Sequence, residues 1–556
     1  MGMLAAHLLL LLVASGPSSQ SRLTRAETTP GGVFYRERTA PAAASFALVA
    51  NPNPSPMGLR WTYANPPALP WIAESVSVGD TGAFAWFARN LNAEGLSFVS
   101  TTDDAGSPPL PIYEDPLLGA DFVTARAAAD GPACAVAVIE PAGSGIPHAL
   151  RYYSGFAASP LFAASGIFPN PFEIAISDDG RYVAAGYTVG GNAAQAAVFD
   201  AASPTPAVPV VLLNASSAAF RQLDISGDGG TVLLASDIAD HVFDRASGAQ
   251  VFADFSTVSH DAHSIDFDGG VFARGGFDLR AWIRTGATYV PVLTFNDPSL
   301  GFPVYTACDV SADGSTFVAA AYDALNNSLF RVYCFQVALA GSTLLWTYAN
   351  NGSGGLQDVP SAVSVSDDGR WIGVGSWGAQ FNPHPEALLF DRIAGNVPVG
   401  SVDTPGSVFD LDLSPDGQFL VLGTKAVHAN VLGNGGEAYS FDRGGQGHRV
   451  VGTPSVGRTI TLRAGGAPGD VVLLLLGAAL AAPIPIPGLA GTLDLDLAQL
   501  FLPPLLVGVV PPAGIQSLPV AIPNDPALVA AVVYSQTVRI GGASAFDNHL
   551  KLPVTP

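Results

Sequence analysis

Lysine is almost missing from this chain: its 556 residues hold two, Lys425 and Lys551. Charge of either sign is scarce, at 13% of residues, and acids outnumber bases 46 to 24 for a net charge of −22. A chain so acidic, with no basic cluster, repels phosphate backbones and anionic lipid, so nucleic-acid binding is excluded. Only three cysteines occur, Cys134, Cys308 and Cys334. They are too few for a disulfide framework, and the expectation is three buried thiols. Few Glu, Lys and Arg also means few long helices. What is plentiful is glycine (61), proline (45), valine and phenylalanine, the composition of short strands joined by tight turns.

Met1–Ser21 contains no Lys, Arg, Asp or Glu. Leu8–Ala14 is a short apolar run followed by small and polar residues, the order of a secretory signal peptide without its usual basic start. The run is too short to span a bilayer. Residues 1–21 are therefore expected to be a removable leader, and the mature chain secreted, extracellular or at the cell surface.

A repeat follows, built from a strand, a turn rich in Asp and Gly, and a second strand, as in IAISDDGRYVAAGY, LDISGDGGTVLLAS and LDLSPDGQFLVLGT. The turn glycines are Gly82, Gly131, Gly180, Gly229, Gly269, Gly314, Gly369 and Gly417, spaced 40 to 55 residues apart. Asp-Gly supplies the positive φ that a tight hairpin needs. About 45 residues hold four short strands, the length of one propeller blade. The fold class expected is all-β: an eight-bladed β-propeller, with seven as the alternative count, followed by a small β-sandwich. Each Asp-Gly turn is expected between the middle strands of a blade. Segments such as AAVFDAAS, HVFDRASG and AYSFDRGG are expected as outer-edge strands. WTYANPP at Trp61 and WTYANNG at Trp346 precede two of the units, and both tryptophans are read as packing between blades. A strand from Gly32–Ala50 is expected to close the last blade.

LSPDGQFLVLGT and ISDDGRYVAAGY resemble the repeats of WD40-like and TolB-type propellers, and HVFDRASGAQVF resembles the quinoprotein repeat. The resemblance covers about Trp61–Gly445 and speaks for fold. Quinoprotein dehydrogenases carry adjacent cysteines, which this chain lacks, so their activity is not implied.

Gly444–Gly452 reads as a boundary. From His448 on Trp and Cys vanish, and five acids balance five bases, so the segment upstream carries the whole −22. Thr459–Arg463, Val471–Leu476, Thr492–Leu497, Leu518–Ile522 and Val529–Arg539 read as strands of a sandwich. Val471–Ala490 is uncharged, but Pro483, Pro485 and Pro487 break any helix there, so no transmembrane span is expected. The organisation is thus a leader (1–21), an N-terminal segment that can lend a strand (22–60), a propeller (61–445) and a sandwich (446–556).

Chemistry is harder to find. The metal-like cluster is His260, Asp261 and His263, with Asp266 and Asp268 nearby. In a plain strand His260 and His263 would face opposite ways, which argues against chelation. Asp-rich turns lack calcium-loop spacing and read as turn chemistry, though Ca2+ in the channel is the first cofactor to test. No G-x-S-x-G, Gly-Lys-Ser/Thr or G-x-G-x-x-G element is present, and no catalytic residue is assigned. The expectation is a monomeric, non-catalytic binding module holding a protein or glycan at one propeller face. The alternative is an enzyme on the same scaffold: a hydrolase, a lyase or a quinoprotein-like oxidoreductase.

Overall fold

The computed structural model describes residues 27–29, 32–34 and, with short interruptions, 55–553. The leader-like stretch lies outside the described residues. Every described element is a β-strand apart from two single-turn 3-10 helices, Leu497–Gln499 and Pro526–Leu528. No described helix is long and apolar enough to cross a membrane.

Glu27–Thr29 and Gly32–Phe34 form a two-stranded antiparallel hairpin. From Ser55 onward, eight sheets follow in chain order: seven are four-stranded and antiparallel, and the one seventh in order is extended to five by a parallel strand. We number them 1 to 8 by their first strands: Ile72–Val78, Phe122–Ala127, Phe172–Ile176, Phe220–Ile225, His260–Ile265, Pro303–Val310, Pro360–Val365 and Val408–Leu413. Many four-stranded antiparallel sheets in one all-β chain are compatible with a propeller-like fold.

The turn chemistry is as the sequence indicates. Gly82, Gly180, Gly229, Gly269, Gly314, Gly369 and Gly417 all have φ between 58° and 71°, while Gly131 lies outside the described residues. At Gly417 a Cβ would also stand 2.5 Å from the Trp371 side chain, so glycine is required twice over. Ser-x-Asp-Gly is a self-contained cap. Ser226 Oγ donates to Asp228 Oδ1, which accepts the Gly230 amide, and Ser226 Oγ accepts the Thr231 amide. Ser177/Asp179, Ser311/Asp313, Ser366/Asp368 and Ser414/Asp416 repeat this arrangement.

Two expectations are corrected. The Asp-Gly turns join the first and second strands of each sheet, not the middle pair. The segments read as outer edges are third strands, for example Ala193–Asp200, Asp240–Asp244 and Ala438–Asp442, each with a further strand outside it. Alternation and turn residues report a hairpin's existence, not its rank in a sheet.

The last sheet is completed from the other end of the chain. Gly58–Tyr63 pairs antiparallel with Ala438–Asp442, placing Thr62 opposite Tyr439. Ser55–Pro56 adds to the seventh sheet. The outer strand of the last sheet is therefore Gly58–Tyr63; of Gly32–Ala50, expected to supply it, only Gly32–Phe34 is among the described residues, paired with Glu27–Thr29.

The core lies between sheets. Each successive pair shares one apolar cluster, and sheets 8 and 1 share one too: Val421 and Ala438 with Trp71, Val76 and Phe87, around Trp61. Trp346 packs against Phe390, ring centres 5.3 Å apart, between sheets 6 and 7. Both tryptophans are thus packing residues between sheets. Cys308 and Cys334 sit on strands of sheet 6 with another strand between them, and all three cysteines are free and buried.

From His448 on, described strands pair only with one another, in sheets of three, four and two strands. Ile460, Leu462, Leu474 and Leu552 join the two larger sheets in one cluster. The uncharged run from Val471 becomes two strands, Val471–Gly477 and Leu480–Pro485. Strands at His448–Val451, Leu505–Val509 and Ala545–Pro553 carry no alternation strong enough to be read from sequence.

Candidate functional site

First strands alternate, so one residue in two leaves the inter-sheet core. The residue five before each turn glycine is Ser77, Arg126, Ala175, Asp224, Ser264, Asp309, Ser364 and Asp412. All of these but Ala175 line a cavity of about 450 Å3 to which the first strands of all eight sheets contribute. The spacing of the repeat thus gathers the polar residues of one register position around one space.

Most of this polarity is spent on joining neighbours. Asp224 accepts the Ile225 amide of its own strand (2.8 Å) and the Ile265 amide of sheet 5 (3.1 Å). Asp309 accepts the Val365 amide of sheet 7 at 2.7 Å and a hydrogen bond from Ser264 Oγ. Asp412 accepts the Val78 amide of sheet 1 at 2.9 Å, with Ser77 and Ser364 hydroxyls also donating to it. Asp410 accepts the Val76 amide, and Glu173 that of Leu223 in sheet 4. Where serine replaces the acid, its hydroxyl accepts instead: Ser75 from Ala125, Ser264 from Val310, Ser364 from Leu413. Seven of the eight junctions between sheets carry such a side-chain-to-amide bond among the described residues; the junction of sheets 2 and 3 is the exception.

At that exception stands Arg126. Its Nη1 lies 3.2 Å from Ser75 Oγ and 3.5 Å from Asp410 Oδ2. Burial alone would lower its guanidinium, but Asp410, Glu173, Asp412 and Asp224 hold it above its ordinary value. Burial pushes Asp224 and Asp309 up to about 7, and Glu173 and Asp412 up to about 6; Arg126 restrains Glu173.

The sequence cluster at sheet 5 is dispersed. His260 and Asp261 open the strand His260–Ile265, where a register shift between His260 and Ala262 interrupts plain alternation; their side chains lie outside the described residues. His263 lines the cavity, but its partners are Gln222 Oε1 at 2.5 Å (Nδ1) and Asp240 Oδ1 at 2.8 Å (Nε2). Asp240 in turn meets buried Arg274 at 3.0 Å. Asp268 accepts the Gly270 amide as a turn residue. Asp266 occupies the place held by serine in five sister turns. It is 4% exposed, and burial, with Asp268 and Asp313 adding, pushes it to about 7.

No group of three or more His, Cys, Asp or Glu is placed to hold a metal ion among the described residues. Calcium takes about six to eight oxygen ligands. Five of the eight cavity carboxylates, Glu173, Asp224, Asp309, Asp410 and Asp412, are already committed to backbone amides, so they do not form a free oxygen cage for calcium. Burial raises all three thiols, Cys334 to about 12, which makes them packing groups and not nucleophiles.

Asp240, Gln222 and Arg274 escaped sequence reading because their partners are distant in the chain. The carboxylate junctions did carry a signal: Asp or Ser recurs five positions before the turn glycine. Compared with known proteins, the chain matches no family model and no curated protein sequence.

Proposed function

We propose that this chain is an exported, monomeric, eight-bladed β-propeller of the quinoprotein-like and WD40-like kind, followed by a β-sandwich, and that it is a non-catalytic binding module. Supporting the blade count are eight sheets with eight shared clusters, one of them between the last sheet and the first. Supporting a separate sandwich from about residue 446 is the confinement of strand pairing beyond His448 to that region. The leader-like N-terminus supports export to the outside or the cell surface.

The observation that carries the binding reading is that five of the eight cavity carboxylates, Glu173, Asp224, Asp309, Asp410 and Asp412, serve backbone amides. They are structural acceptors and are not poised as acid and base. Their summed charge still sets the field of the cavity, with Arg126 the cation among them. The ligand it favours is cationic: a lysine- or arginine-bearing segment of a partner protein, in preference to a neutral glycan. One observation favours the enzyme reading, the His263–Asp240 pair beside the cavity. Both imidazole nitrogens are engaged, however, which leaves no free base.

The test is titration calorimetry of the whole chain with hexalysine, hexaglutamate and a neutral cellohexaose at 20 and 300 mM NaCl. Hexalysine should bind and weaken with salt. Asp266→Ser, which installs the residue of the sister turns, should weaken it roughly threefold, and Arg126→Gln should strengthen it. Binding of cellohexaose in preference to hexalysine, or hexalysine binding indifferent to both substitutions, overturns the reading.

A further inference from the structure

The ends of the sheets opposite the Asp-Gly turns carry a second feature. Sheets 4 to 6 expose five large apolar side chains at this end: Ile238, in the turn between Thr231–Ser236 and Asp240–Asp244, and four on the neighbouring loops. Phe255 follows the last strand of sheet 4, and Phe277 lies in the turn between Val271–Gly276 and Leu279–Thr285. Phe302 precedes the first strand of sheet 6, and Leu325 lies in the turn between Thr316–Asp323 and Asn326–Gln336. Leu325 is 77% exposed and Phe255 63%.

Phe277, Phe302 and Leu325 are contiguous. The Phe277 and Phe302 rings are 5.1 Å apart, and Leu325 Cδ1 lies 3.2 Å from where a Cβ on Gly301 would be. They are also held in place. Buried Asp323 accepts the amides of Gly301 (2.8 Å), Phe302 (2.9 Å) and Leu325 (2.9 Å), tying both loops to one carboxylate. Asp297 fixes the start of the first loop: its amide donates to Tyr305 Oη, and its carboxylate accepts from Tyr333 Oη. A buried carboxylate bonded to three loop amides holds apolar side chains out in water, where they gain nothing from folding. Fixed apolar groups of this kind lower the entropy lost when a partner covers them.

Charge indicates what covers them. Asp240, Asp254, Asp278, Asp297 and Asp323 stand in or beside these loops, against Arg274, Arg280 and Arg331. Asp278 meets Arg274 at 3.1 Å and Arg280 at 2.9 Å, and Asp254 lies 3.6 Å from Arg280. Through Arg274, Asp240 and His263 this network runs from the patch to the acidic cavity.

We propose that Phe255, Phe277, Phe302 and Leu325 form a docking surface for a partner-protein segment that presents an aromatic or aliphatic anchor beside a lysine or arginine. This rests on the cationic-ligand reading of the cavity and adds the anchor to it. The apolar side chain seats on the Phe277–Phe302 pair while its basic neighbour faces the carboxylates toward the cavity.

The experiment pans a phage-displayed random dodecapeptide library on the whole chain, then measures the enriched synthetic peptides by fluorescence anisotropy. The expected peptides pair an aromatic or aliphatic residue with Lys or Arg, and lose at least tenfold in affinity on F302S/L325S. Hydroxyl-radical footprinting with bound peptide should protect Phe277 and Phe302 at least threefold in the unmodified chain, which does not depend on any variant folding. Basic peptides that bind equally well to F302S/L325S and leave Phe277 and Phe302 unprotected overturn the docking surface while the cavity reading stands. Enriched peptides without Lys or Arg, or no enrichment, overturn both.

Discussion

The eight repeated sheets and the strands after His448 solve the same problem, burying both faces of short sheets, in opposite electrostatic ways. The repeats are built from Ala, Val and aromatic clusters, and their junctions are closed by side-chain acceptors on the neighbouring strand's amides. The later strands rely on leucine, as at Leu462, Leu474 and Leu552, in an electroneutral segment. Their notable buried polar group is His448, whose Nε2 bonds Ser535 Oγ at 2.8 Å and whose Nδ1 faces the Arg463 carbonyl. Carboxylates raised by burial lie in the repeats, and an imidazole lowered by burial lies in the later strands. The two should therefore answer to different mutations and to opposite directions of pH.

All seven tryptophans lie before His448, so their fluorescence reports the repeats alone, while circular dichroism reports both regions. The largest effect is expected from Phe272→Ala, between sheets 4 and 5. It should cost about 3–5 kcal/mol and move the tryptophan transition. Leu474→Ala should cost about 2–4 kcal/mol and leave that transition in place. A shared shift for both variants would merge the regions into one cooperative unit.

Acid should then separate them. Burial presses His448 down to about 4 from an ordinary 6.5, so between these values the unfolded chain takes up the proton first. Stability of the later strands is complete above about pH 6.5 and is lost as pH falls toward 4, by up to about 3 kcal/mol. In the repeats the sign reverses. Asp309 and Asp224 are raised to about 7 from 3.8, so the folded state holds the proton in that window. Stability grows as pH falls from about 7 toward 4. Melting followed by tryptophan fluorescence and by circular dichroism at pH 8, 6 and 4.5 checks both directions. Parallel trends would remove the contrast.

Asp412→Ala tests the two junctions that sheet 8 makes, with sheet 1 and with sheet 7. It removes the acceptor of the Val78 amide and of two hydroxyls, and about 1–3 kcal/mol should be lost from the tryptophan transition only. Least of all should come from Leu325→Ser, within about 0.5 kcal/mol, because that side chain is mostly exposed in the free chain.

Turn chemistry and period were open to sequence reading because they are local: Asp-Gly forces a positive φ wherever it closes a hairpin. Strand rank was not, since Ala193–Asp200 looks the same whether or not Val211–Asn214 lies outside it. His263 was visible as a residue, but its partner Asp240 comes from another sheet. Asp224, Asp309 and Asp412 share one register, five residues before the turn glycine, but the amides they accept belong to other sheets and leave no mark in the local sequence.

The strand Gly58–Tyr63 also orders events in time. It leaves the ribosome before any of the eight sheets, yet its partner, Ala438–Asp442, arrives after seven of them. Until then Trp61 has no neighbour from sheet 8, and the edge it will occupy stays open. Joining ends so distant in the chain is slow, because loop entropy must be lost before any contact is gained. A nascent chain cut anywhere before Ala438 therefore carries two unpaired edges that only its missing remainder could cover. If the chain is exported, as proposed, that favours crossing the membrane unfolded and folding once, after the last repeat has arrived.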